Sequence, residues 1–275
     1  MDGPPTDALF APGGPFVVVA GPCALEDRAL NLRVARHLAD VGGRLRVPVV
    51  FKASYDKANR TSVGSPRGPG LEEGTTLLRE VREETGLPVL TDVHETAQVE
   101  AAAAAVDVLQ IPAFLSRQTD LILAAAATGL PLNLKKGQWM APEDMGHAAR
   151  KAREGGAERL AVTERGTAFG YGRWIVDMRS FTLMREACGC PALFDATHAV
   201  QLPGAAGDAS GGERRFAEVL ARAAVAAGAD GLYLEVHPEP TSAPSDAASM
   251  LPLERLEPLL EEALALRDAL QRVRA

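Results

Sequence analysis

Eight short apolar runs alternate with segments of helical periodicity, and this alternation constrains the fold more than any other feature of the chain. The intervening segments are rich in Ala, Leu, Glu and Arg, which favour helices. Strands that alternate with helices form parallel sheets, and eight such units predict a closed (β/α)8 TIM barrel. The predicted strands are Phe16–Ala20, Val47–Phe51, Pro88–Asp92, Val108–Pro112, Pro131–Leu134, Leu160–Thr163, Ala192–Asp195 and Gly231–Glu235.

The segments between and around these runs predict a single barrel domain over residues 1–275. We expect a short N-terminal extension, residues 1–15, to form an irregular lid or short hairpin over the closed end of the barrel. Stretches rich in Pro, Gly and Ser at 64–70, 203–212 and 238–249 predict long loops after strands. The predicted helices include Asp27–Ala39, Glu72–Thr85, Ala101–Ala105, Glu143–Glu154, Gly212–Ala227 and Pro252–Arg274.

Composition excludes several classes of protein. The chain has 47% hydrophobic and 24% charged residues, as globular domains do, and its net charge of −7 argues against general nucleic-acid binding. No run approaches the ~20 apolar residues of a membrane span, and no basic and then apolar export signal opens the chain. Three cysteines at irregular spacing predict no disulfide framework, so we expect a reducing compartment, the cytoplasm.

Chemically distinctive side chains follow the predicted strands repeatedly. In a closed parallel barrel all strands end on one face, and the loops on that face form the active site. Residues far apart in the chain, such as Cys23 after the first strand and His198 after the seventh, are therefore expected to converge on one pocket. The alternation thus predicts the place of the site as well as the fold.

The segment Lys52–Ser62, which reads KASYDKANRTS, follows the second strand and carries three cations beside hydroxyl and amide donors. Gly and Pro residues at 64–70 prevent a continuing helix, so Lys52, Lys57 and Arg60 do not form the solvated face of one. Phosphate is the ligand that these donors suit best, and an exposed basic turn is the alternative.

A second group of cations follows strands five and six. Lys135, Lys136 and Arg165 lie beside the first group if the barrel closes. Lysine offers a point charge and arginine a planar fork, so the two groups together can hold two anions, phosphate and carboxylate among them. Lys136, one of two adjacent lysines, could instead face solvent.

A thiol, an imidazole and two carboxylates form a third group, at strand ends one, seven and eight and in the loop after strand eight. The four residues are Cys23, His198, Glu235 and Asp246. These donors suit a divalent transition ion such as Zn²⁺, Fe²⁺ or Mn²⁺. The residues lack compact ligand spacing, and a packing role for Cys23 is the alternative.

Two further histidines and a cysteine pair have structural interpretations. His94 and His237 lie at strand ends, where a hydrogen-bonded core or supporting role is the alternative to ligation. Cys188 and Cys190 precede the seventh strand, at the end of the barrel that confers stability, which favours packing. The glycine-rich segment 166–172 lacks the strand-turn-helix context of a nucleotide-binding motif.

Several motifs together resemble the 3-deoxy-D-manno-octulosonate 8-phosphate synthase family, from Phe16 to the final helix. The most specific is DKANR at 56–60, because the sibling 3-deoxy-D-arabino-heptulosonate 7-phosphate synthases typically carry a KPRTS-like loop there. The others are Gly21-Pro22-Cys23, Lys52-Ala53-Ser54, Gln110-Ile111-Pro112, Asn133-Leu134-Lys135-Lys136 and Phe194-Asp195-Ala196-Thr197-His198.

The resemblance implies an enzyme that condenses phosphoenolpyruvate with D-arabinose 5-phosphate and water and releases phosphate, for lipopolysaccharide synthesis. It also implies a barrel that assembles as a homotetramer. Metal-independent members typically carry Asn where this chain has Cys23, so the chain resembles the metal-dependent branch. Loop length at 203–212 varies in the family, and the resemblance implies no contact there.

The resemblance also implies a role for individual motif residues. Lys57, His198 and Asp246 would be catalytic. The metal ligands would be Cys23, His198, Glu235 and Asp246; phosphoenolpyruvate would contact Lys52, Lys57, Gln110, Lys135 and Arg165; and arabinose 5-phosphate would contact Asn59, Arg60 and Thr61.

Two alternatives stand beside this function. One is a 3-deoxy-D-arabino-heptulosonate 7-phosphate synthase-like aldol synthase, which would use erythrose 4-phosphate, or a related enzyme for a mannosamine sugar; the DKANR segment argues against both. The other is a non-catalytic sugar-phosphate-binding or structural metal barrel. That alternative leaves the two separate cation groups unexplained.

Overall fold

The computed structural model describes residues 8–60, 62–206 and 209–274. Eight parallel strands pair in chain order, and the first also pairs with the eighth, so the sheet closes into a barrel. Helices connect the strands, because parallel neighbours need a crossover on the outside of the sheet. The predicted (β/α)8 fold is confirmed.

Every predicted strand is present, and its bounds shift by at most two residues. Pro48, Pro88 and Pro131 lie just outside strands two, three and five, because proline lacks the N–H that a strand ladder needs. Their carbonyls still accept hydrogen bonds from the neighbouring strands. The barrel strands, first to eighth, are Val17–Gly21, Val49–Lys52, Val89–Asp92, Val108–Ile111, Leu132–Lys135, Leu160–Glu164, Ala192–Asp195 and Gly231–His237.

Eight α-helices surround the barrel in the part of the chain that is described: α1 Arg28–Leu45, α2 Leu71–Thr85, α3 Val99–Ala103, α4 Thr119–Ala126, α5 Met145–Glu154, α6 Ser180–Cys188, α7 Ala217–Ala226 and α8 Leu256–Arg274. Each buries one face against the strands, as an amphipathic helix on a core does. Among the described residues, no helix has both the length and the apolar character needed to cross a membrane.

The predicted long loop at 203–212 is wrong. Gln201–Ala206 pairs antiparallel with Ala209–Gly212, so this stretch is a β-hairpin on the carboxyl face, and α7 begins at Ala217 instead of Gly212. A second small hairpin joins Thr167–Gly170 to Arg173–Ile175. Backbone pairing forms such hairpins, so small residues that suggest a loop do not prevent them.

The barrel interior divides into an apolar end and a polar end. Near the amino ends of the strands, Leu9 and Phe10 pack with Val17, Val50 and Leu193. Residues 8–15 therefore cover the closed end of the barrel, as predicted for the extension, whereas residues 1–7 of that prediction lie outside the described residues. The polar end, at the carboxyl ends of the strands, forms the floor of a cleft.

Candidate active site

The carboxyl ends of the strands surround a cleft of about 1110 Å³, including the solvent at its mouth. Both cation groups predicted from the sequence contribute to its wall: Lys52, Lys57, Arg60, Lys135 and Arg165 all line it. Side chains from strands two, five and six and the loops after them thus converge on one site. Five cations around one cleft suit a ligand with several negative charges.

Lys52 lies on the floor of the cleft between two carboxylates. Its Nζ is 3.1 Å from Glu235 Oε1 and 3.6 Å from Asp92 Oδ2, and it donates to the Cys23 carbonyl at 3.0 Å. Burial alone would lower the pKa of Lys52, but Asp92 and Glu235 outweigh burial and raise it. The close approach of the first strand requires glycine, because a Cβ on Gly21 would lie 2.1 Å from the Lys52 carbonyl oxygen.

Three of the four predicted metal ligands form one cluster. The ligand atoms of Cys23, Glu235 and Asp246 lie within 4.8 Å of one another. Cys23 Sγ donates to Asp246 Oδ2 at 2.9 Å, and the buried Glu235 Oε2 has no hydrogen-bond partner among the described residues. An unpaired buried carboxylate oxygen is costly, so these donors fit a divalent cation that would bind both the sulfur and the carboxylates.

The fourth predicted ligand, His198, lies at the edge of this cluster. Its Nε2 is 3.6 Å from Glu235 Oε1, and its Nδ1 is 2.6 Å from Asp195 Oδ2. A histidine whose Nδ1 is held by a carboxylate keeps Nε2 available for a metal. His198 is therefore oriented towards the cluster without being part of the compact set of three.

The backbone and two neighbours aim Asp246 at the cluster. Asp246 has φ of 55°, in the left-handed region that a residue other than glycine seldom adopts. Gln201 Nε2 donates to Asp246 Oδ1, and Ser245 Oγ donates to Oδ2 at 2.9 Å. Lys57 Nζ lies 3.9 Å from Oδ2. Burial would raise the pKa of Asp246, but Lys57 and His198 lower it well below its usual range.

The charges of the cluster act in opposite directions on its thiol and its nearest lysine. Burial raises the pKa of Cys23 well above its usual value, and Asp246 and Glu235 raise it further. Burial would lower the pKa of Lys57, but Cys23, Glu235 and Asp246 raise it instead. The shift in the pKa of Cys23 favours the protonated thiol, and metal binding would displace its proton.

The opposite wall of the cleft carries Lys135 and Arg165. Lys135 forms an ion pair with Asp195, and its Nζ lies 3.4 Å from the centre of the Tyr233 ring. Burial lowers the pKa of Lys135 to about 8, against the opposing charge of Asp195. Arg165 Nη2 donates to Gln201 Oε1 at 2.6 Å, whereas the buried Nη1 has no partner among the described residues. This unpaired nitrogen suits an incoming anion.

Lys136 does not face solvent, so that alternative is wrong. Its side chain is fully buried, and Nζ lies 3.4 Å from Glu164 Oε1 and donates to Thr167 Oγ1 at 3.1 Å. Burial lowers the pKa of Lys136 against the opposing charge of Glu164. The lysine joins the end of the sixth strand to the hairpin that begins at Thr167, and it does not line the cleft.

Of the three residues predicted for the sugar phosphate, two line the cleft. Asn59 and Arg60 are both in its wall, and Arg60 Nη1 donates to Ser245 Oγ. The third, Thr61, lies outside the described residues. Because Ser245 precedes Asp246, the contact joins the DKANR loop to the loop that carries a predicted ligand.

The remaining histidines and cysteines follow their structural interpretations with one exception. His237 is buried, with Nε2 3.0 Å from Glu26 Oε1, and its Nδ1 accepts from Glu239 N. Cys188 and Cys190 are buried beside the closed end of the barrel. The exception is His94, which lines the cleft and packs against Tyr55.

Sequence reasoning named no role for several residues that the structure places in the site. Gln201 follows the seventh predicted strand, Trp174 lies between the sixth and the seventh, and Gln138 follows the lysine pair. Asp92 and Asp195 are in strand-end segments that the sequence singled out, but their function as partners of lysines depends on side-chain contacts. The signal for both was a lone carboxylate at the end of an apolar strand.

Comparison with known proteins finds one family over nearly the whole chain. A family model described as the DAHP synthetase I family matches residues 6–272. This range includes every described residue of the cleft. The family model carries the name of the sibling 3-deoxy-D-arabino-heptulosonate 7-phosphate synthases. It therefore does not by itself distinguish the two activities, as the DKANR motif does.

Individual relatives share one printed name, 2-dehydro-3-deoxyphosphooctonate aldolase. The protein from Syntrophotalea carbinolica is 55% identical over 260 residues, which are 94% of this chain and 94% of that relative. The one from Acidithiobacillus ferrooxidans is 57% identical over 246 residues, 90% of this chain and 87% of the relative. The one from Synechococcus is 55% identical over 257 residues, which are 94% of this chain and 90% of that relative.

Proposed function

Because this chain belongs to the DAHP synthetase I family, we propose that it condenses phosphoenolpyruvate with D-arabinose 5-phosphate and water to give 3-deoxy-D-manno-octulosonate 8-phosphate and phosphate. The relatives named 2-dehydro-3-deoxyphosphooctonate aldolase support this choice within the family. The observation that carries it is the convergence of five cations on one cleft beside a cluster of metal-type donors. The product is a precursor of lipopolysaccharide.

The reaction joins two phosphorylated anions, and the cations make that possible. C3 of phosphoenolpyruvate bonds to the aldehyde carbon, whose oxygen takes a proton. Water adds its oxygen to C2, and the bond between C2 and the phosphate oxygen breaks, which leaves a ketone at C2. Of the two protons that water loses, one goes to the former aldehyde oxygen and the other to the released phosphate. Two phosphates and a carboxylate would repel one another in a dry cleft, so opposing cations are needed to hold them close together.

We assign the ends of phosphoenolpyruvate to the cations deepest in the cleft. Lys52, Lys57, Lys135 and Arg165 surround the floor, and Gln110 lies among them. The pKa values of Lys52 and Lys57 are raised, so both ammonium groups stay charged at neutral pH. Lys57, which we propose as catalytic, therefore acts as a charged hydrogen-bond donor to the reacting anion and not as a base.

Arabinose 5-phosphate has its phosphate end at the DKANR loop. Asn59 and Arg60 line the outer wall of the cleft, and Thr61 completes the proposed set. We propose that the sugar aldehyde then lies towards the floor, near Asp246 and His198. Lys57, in the same loop, is also one of the proposed phosphoenolpyruvate cations, so the aldehyde carbon would lie beside C3, as a bond between the two carbons requires.

A divalent cation, Zn²⁺, Fe²⁺ or Mn²⁺, is the proposed cofactor, held by Cys23, His198, Glu235 and Asp246. When bound, it supplies a positive charge that orients the aldehyde oxygen and a water molecule. Asp195 holds the His198 ring so that Nε2 faces the cluster. Gln201 and Ser245 fix the Asp246 carboxylate, and we propose that His198 and Asp246 move the protons of the reaction.

We also propose the wider setting of the enzyme. The barrel is one catalytic domain over residues 1–275, and four copies form a homotetramer. Aromatic side chains on the carboxyl face support assembly, since Trp139, Phe169 and Tyr171 are 47%, 98% and 93% exposed. The cysteines are free, which fits the cytoplasm.

The central test offers phosphoenolpyruvate with each of two aldoses and measures phosphate release. We expect turnover with arabinose 5-phosphate and at least 100-fold lower kcat/KM with erythrose 4-phosphate, because the shorter sugar cannot reach from its own phosphate site to C3 of phosphoenolpyruvate. Preference for erythrose 4-phosphate would instead assign the sibling activity. Binding of both arabinose 5-phosphate and phosphoenolpyruvate without turnover, with metal supplied, would indicate a non-catalytic barrel.

Metal dependence has a separate test. The protein is stripped with a chelator, assayed, and then restored with Mn²⁺, Fe²⁺ or Zn²⁺. We expect activity to fall at least tenfold on stripping and to return with the ion. Full activity after complete removal of metal, verified by elemental analysis, would contradict a catalytic ion while leaving the condensation itself untouched.

A further inference from the structure

A chain of buried polar side chains extends outwards from the floor of the cleft, and its two outermost members, Asn133 and Thr163, have no role in the function proposed so far. Thr163 Oγ1 donates to Asn133 Oδ1 at 2.8 Å, and Asn133 Nδ2 donates to Gln110 Oε1 at 2.8 Å. Gln110 Nε2 then donates to Asp92 Oδ1, and Ser54 Oγ donates to Asp92 Oδ2. All five side chains are buried, and they come from strands three to six and from the loop after strand two.

The direction of this chain is fixed by its ends. Asp92 is an anion, because Lys52 and Lys57 lower its pKa well below the usual range although burial would raise it. A carboxylate only accepts hydrogen bonds, so the Gln110 amide has to present its NH2 group to Asp92. The Gln110 carbonyl then faces Asn133, whose own amide NH2 group donates to it. Thr163 completes the order by donating to the Asn133 carbonyl.

The orientation of Gln110 determines what a ligand meets. Gln110 lines the cleft, whereas Asn133 and Thr163 do not. With its carbonyl engaged by Asn133, the amide has its second N–H on the side of Tyr233, which also lines the cleft. A flipped amide would present an oxygen lone pair there, and an oxygen repels a carboxylate or phosphate.

We propose that Thr163 and Asn133 are positioning residues for the substrate anion: they hold the Gln110 amide with its N–H donors towards Asp92 and the cleft. The inference rests on the proposed function, because it assigns Gln110 to phosphoenolpyruvate. It adds two residues that never touch the substrate. Sequence position did not reveal them, because a buried Asn and a buried Thr in apolar strands are also consistent with ordinary packing.

Matched variants of threonine test the chain. Thr163→Val removes the first donor with almost no change of shape, and Thr163→Ser keeps it. Thr91→Val is the control, because Thr91 is also fully buried in the barrel but donates to the Ala53 carbonyl, outside the chain. The full-length protein with Mn²⁺ is titrated with phosphoenolpyruvate by calorimetry, and KM and kcat are measured for both substrates.

We expect Thr163→Val to weaken phosphoenolpyruvate binding about three- to tenfold, the range of one net hydrogen bond. The KM for phosphoenolpyruvate should rise by the same factor, while kcat and the KM for arabinose 5-phosphate stay near wild type. Thr163→Ser and Thr91→Val should bind phosphoenolpyruvate within about twofold of wild type. A merely structural role would shift stability without this selectivity for one substrate.

A double-mutant cycle with Gln110→Ala shows whether Thr163 acts through the amide. In the Gln110→Ala background, Thr163→Val should change the dissociation constant less than about twofold, because no amide is left to orient. An unchanged affinity in the single Thr163→Val variant, or the same loss in both backgrounds, would overturn the inference. If the wild-type protein binds no phosphoenolpyruvate, the proposed function itself is contradicted. That result differs from both outcomes that would overturn the role of Thr163, because in those the wild type still binds phosphoenolpyruvate.

Discussion

The two ends of the barrel are built from the same eight strands but differ in chemistry. At the amino end, Leu9 and Phe10 close the barrel with valine and leucine side chains. At the carboxyl end, Lys52 lies between Asp92 and Glu235. Burying the apolar side chains of the amino end lowers the free energy of the folded state directly. The attraction within a buried ion pair, in contrast, only roughly offsets the cost of removing its charges from water. The difference indicates that one end supplies stability and the other is arranged for chemistry.

The cysteines show the same contrast within one residue type. Cys23 lies at the carboxyl end with Glu235 and Asp246, where a cation would compensate the buried charges. Cys188 and Cys190 precede the seventh strand at the amino end, where they are buried in packing. Position along the strand, and not the residue itself, determines whether a cysteine is a candidate ligand.

The largest effect is expected from removing the central cation of the polar end. Lys52→Met keeps a similar length but leaves Asp92 and Glu235 buried without their shared partner. The free energy of unfolding should fall by about 3–5 kcal/mol, the usual cost of breaking a buried ion pair from one side. Urea denaturation of the substrate-free protein measures it, through the shift in midpoint at constant slope.

Lys151→Met is the matched control for that variant. Lys151 is on α5 and donates to Thr119 Oγ1 near solvent. Its loss should change the free energy of unfolding by at most about 1 kcal/mol, as exposed polar contacts do. If both variants lost a similar free energy of unfolding, the buried ion pairs of the carboxyl end would contribute no more to stability than an exposed contact does.

The second prediction compares cysteines at opposite ends. Cys23→Ser should weaken Mn²⁺ or Zn²⁺ binding at least about 100-fold, because changes to supporting groups alone cost about 10- to 100-fold. Cys188→Ser should leave metal affinity within about twofold, since Cys188 lies at the closed end. Equilibrium dialysis with metal analysis gives both values. Equal affinities for the two variants would remove Cys23 from the ligand set.

The sequence predicted the barrel and the face of the site because both follow from strand count and strand ends. Cys23 and Glu235 could be paired from opposite ends of the chain on that basis alone. The burial of Lys136 could not, because it depends on the hairpin after strand six covering it. The sequence held one indication that Lys136 has a specific role. The chain has 5 lysines and 24 arginines, so a lysine is an unusual choice of cation in it.

The roles of Gln201 and Asn133 were beyond the sequence for a different reason. Gln201 joins Arg165 to Asp246, and Asn133 orients Gln110, through side-chain amides whose partners lie on other strands. Residue type states what an amide can do but not which groups it meets. Strand order gives the neighbours, and only three-dimensional packing gives the contacts.

The third prediction concerns pH at the anion-binding wall. Lys135 has a pKa of about 8, so it holds an anion while protonated and loses that ability as pH rises through this value. Affinity for phosphoenolpyruvate should fall by up to about tenfold for each pH unit above the pKa. Calorimetric titration between about pH 7 and pH 10 measures it, with Lys135→Arg as the variant that keeps its charge. Parallel pH profiles for the two proteins would contradict the assignment.

Stability should respond to pH in the opposite sense. The folded-state pKa of Lys135 lies below the unfolded value of about 10.4, so between these values the unfolded chain binds more protons. The contribution of this group to the free energy of unfolding therefore rises with pH across that window. Between about pH 8 and pH 10, the urea midpoint of the wild type should therefore rise relative to that of Lys135→Arg, because arginine stays protonated in both states and makes no such contribution.

The smallest effect tests the amino end, where a change should alter stability and leave chemistry intact. Gly189 ends α6 with φ of 58°, a conformation that alanine adopts poorly, so Gly189→Ala should cost about 1 kcal/mol. Gly43 lies inside α1 in open space, and Gly43→Ala should gain a similar amount from helix propensity. Thermal unfolding should thus shift in opposite directions, while kcat and both KM values stay within about twofold. A loss of activity in Gly189→Ala would mean that the closed end is coupled to the cleft, because the substitution lies at the opposite end of the strands from every cation and ligand of the site.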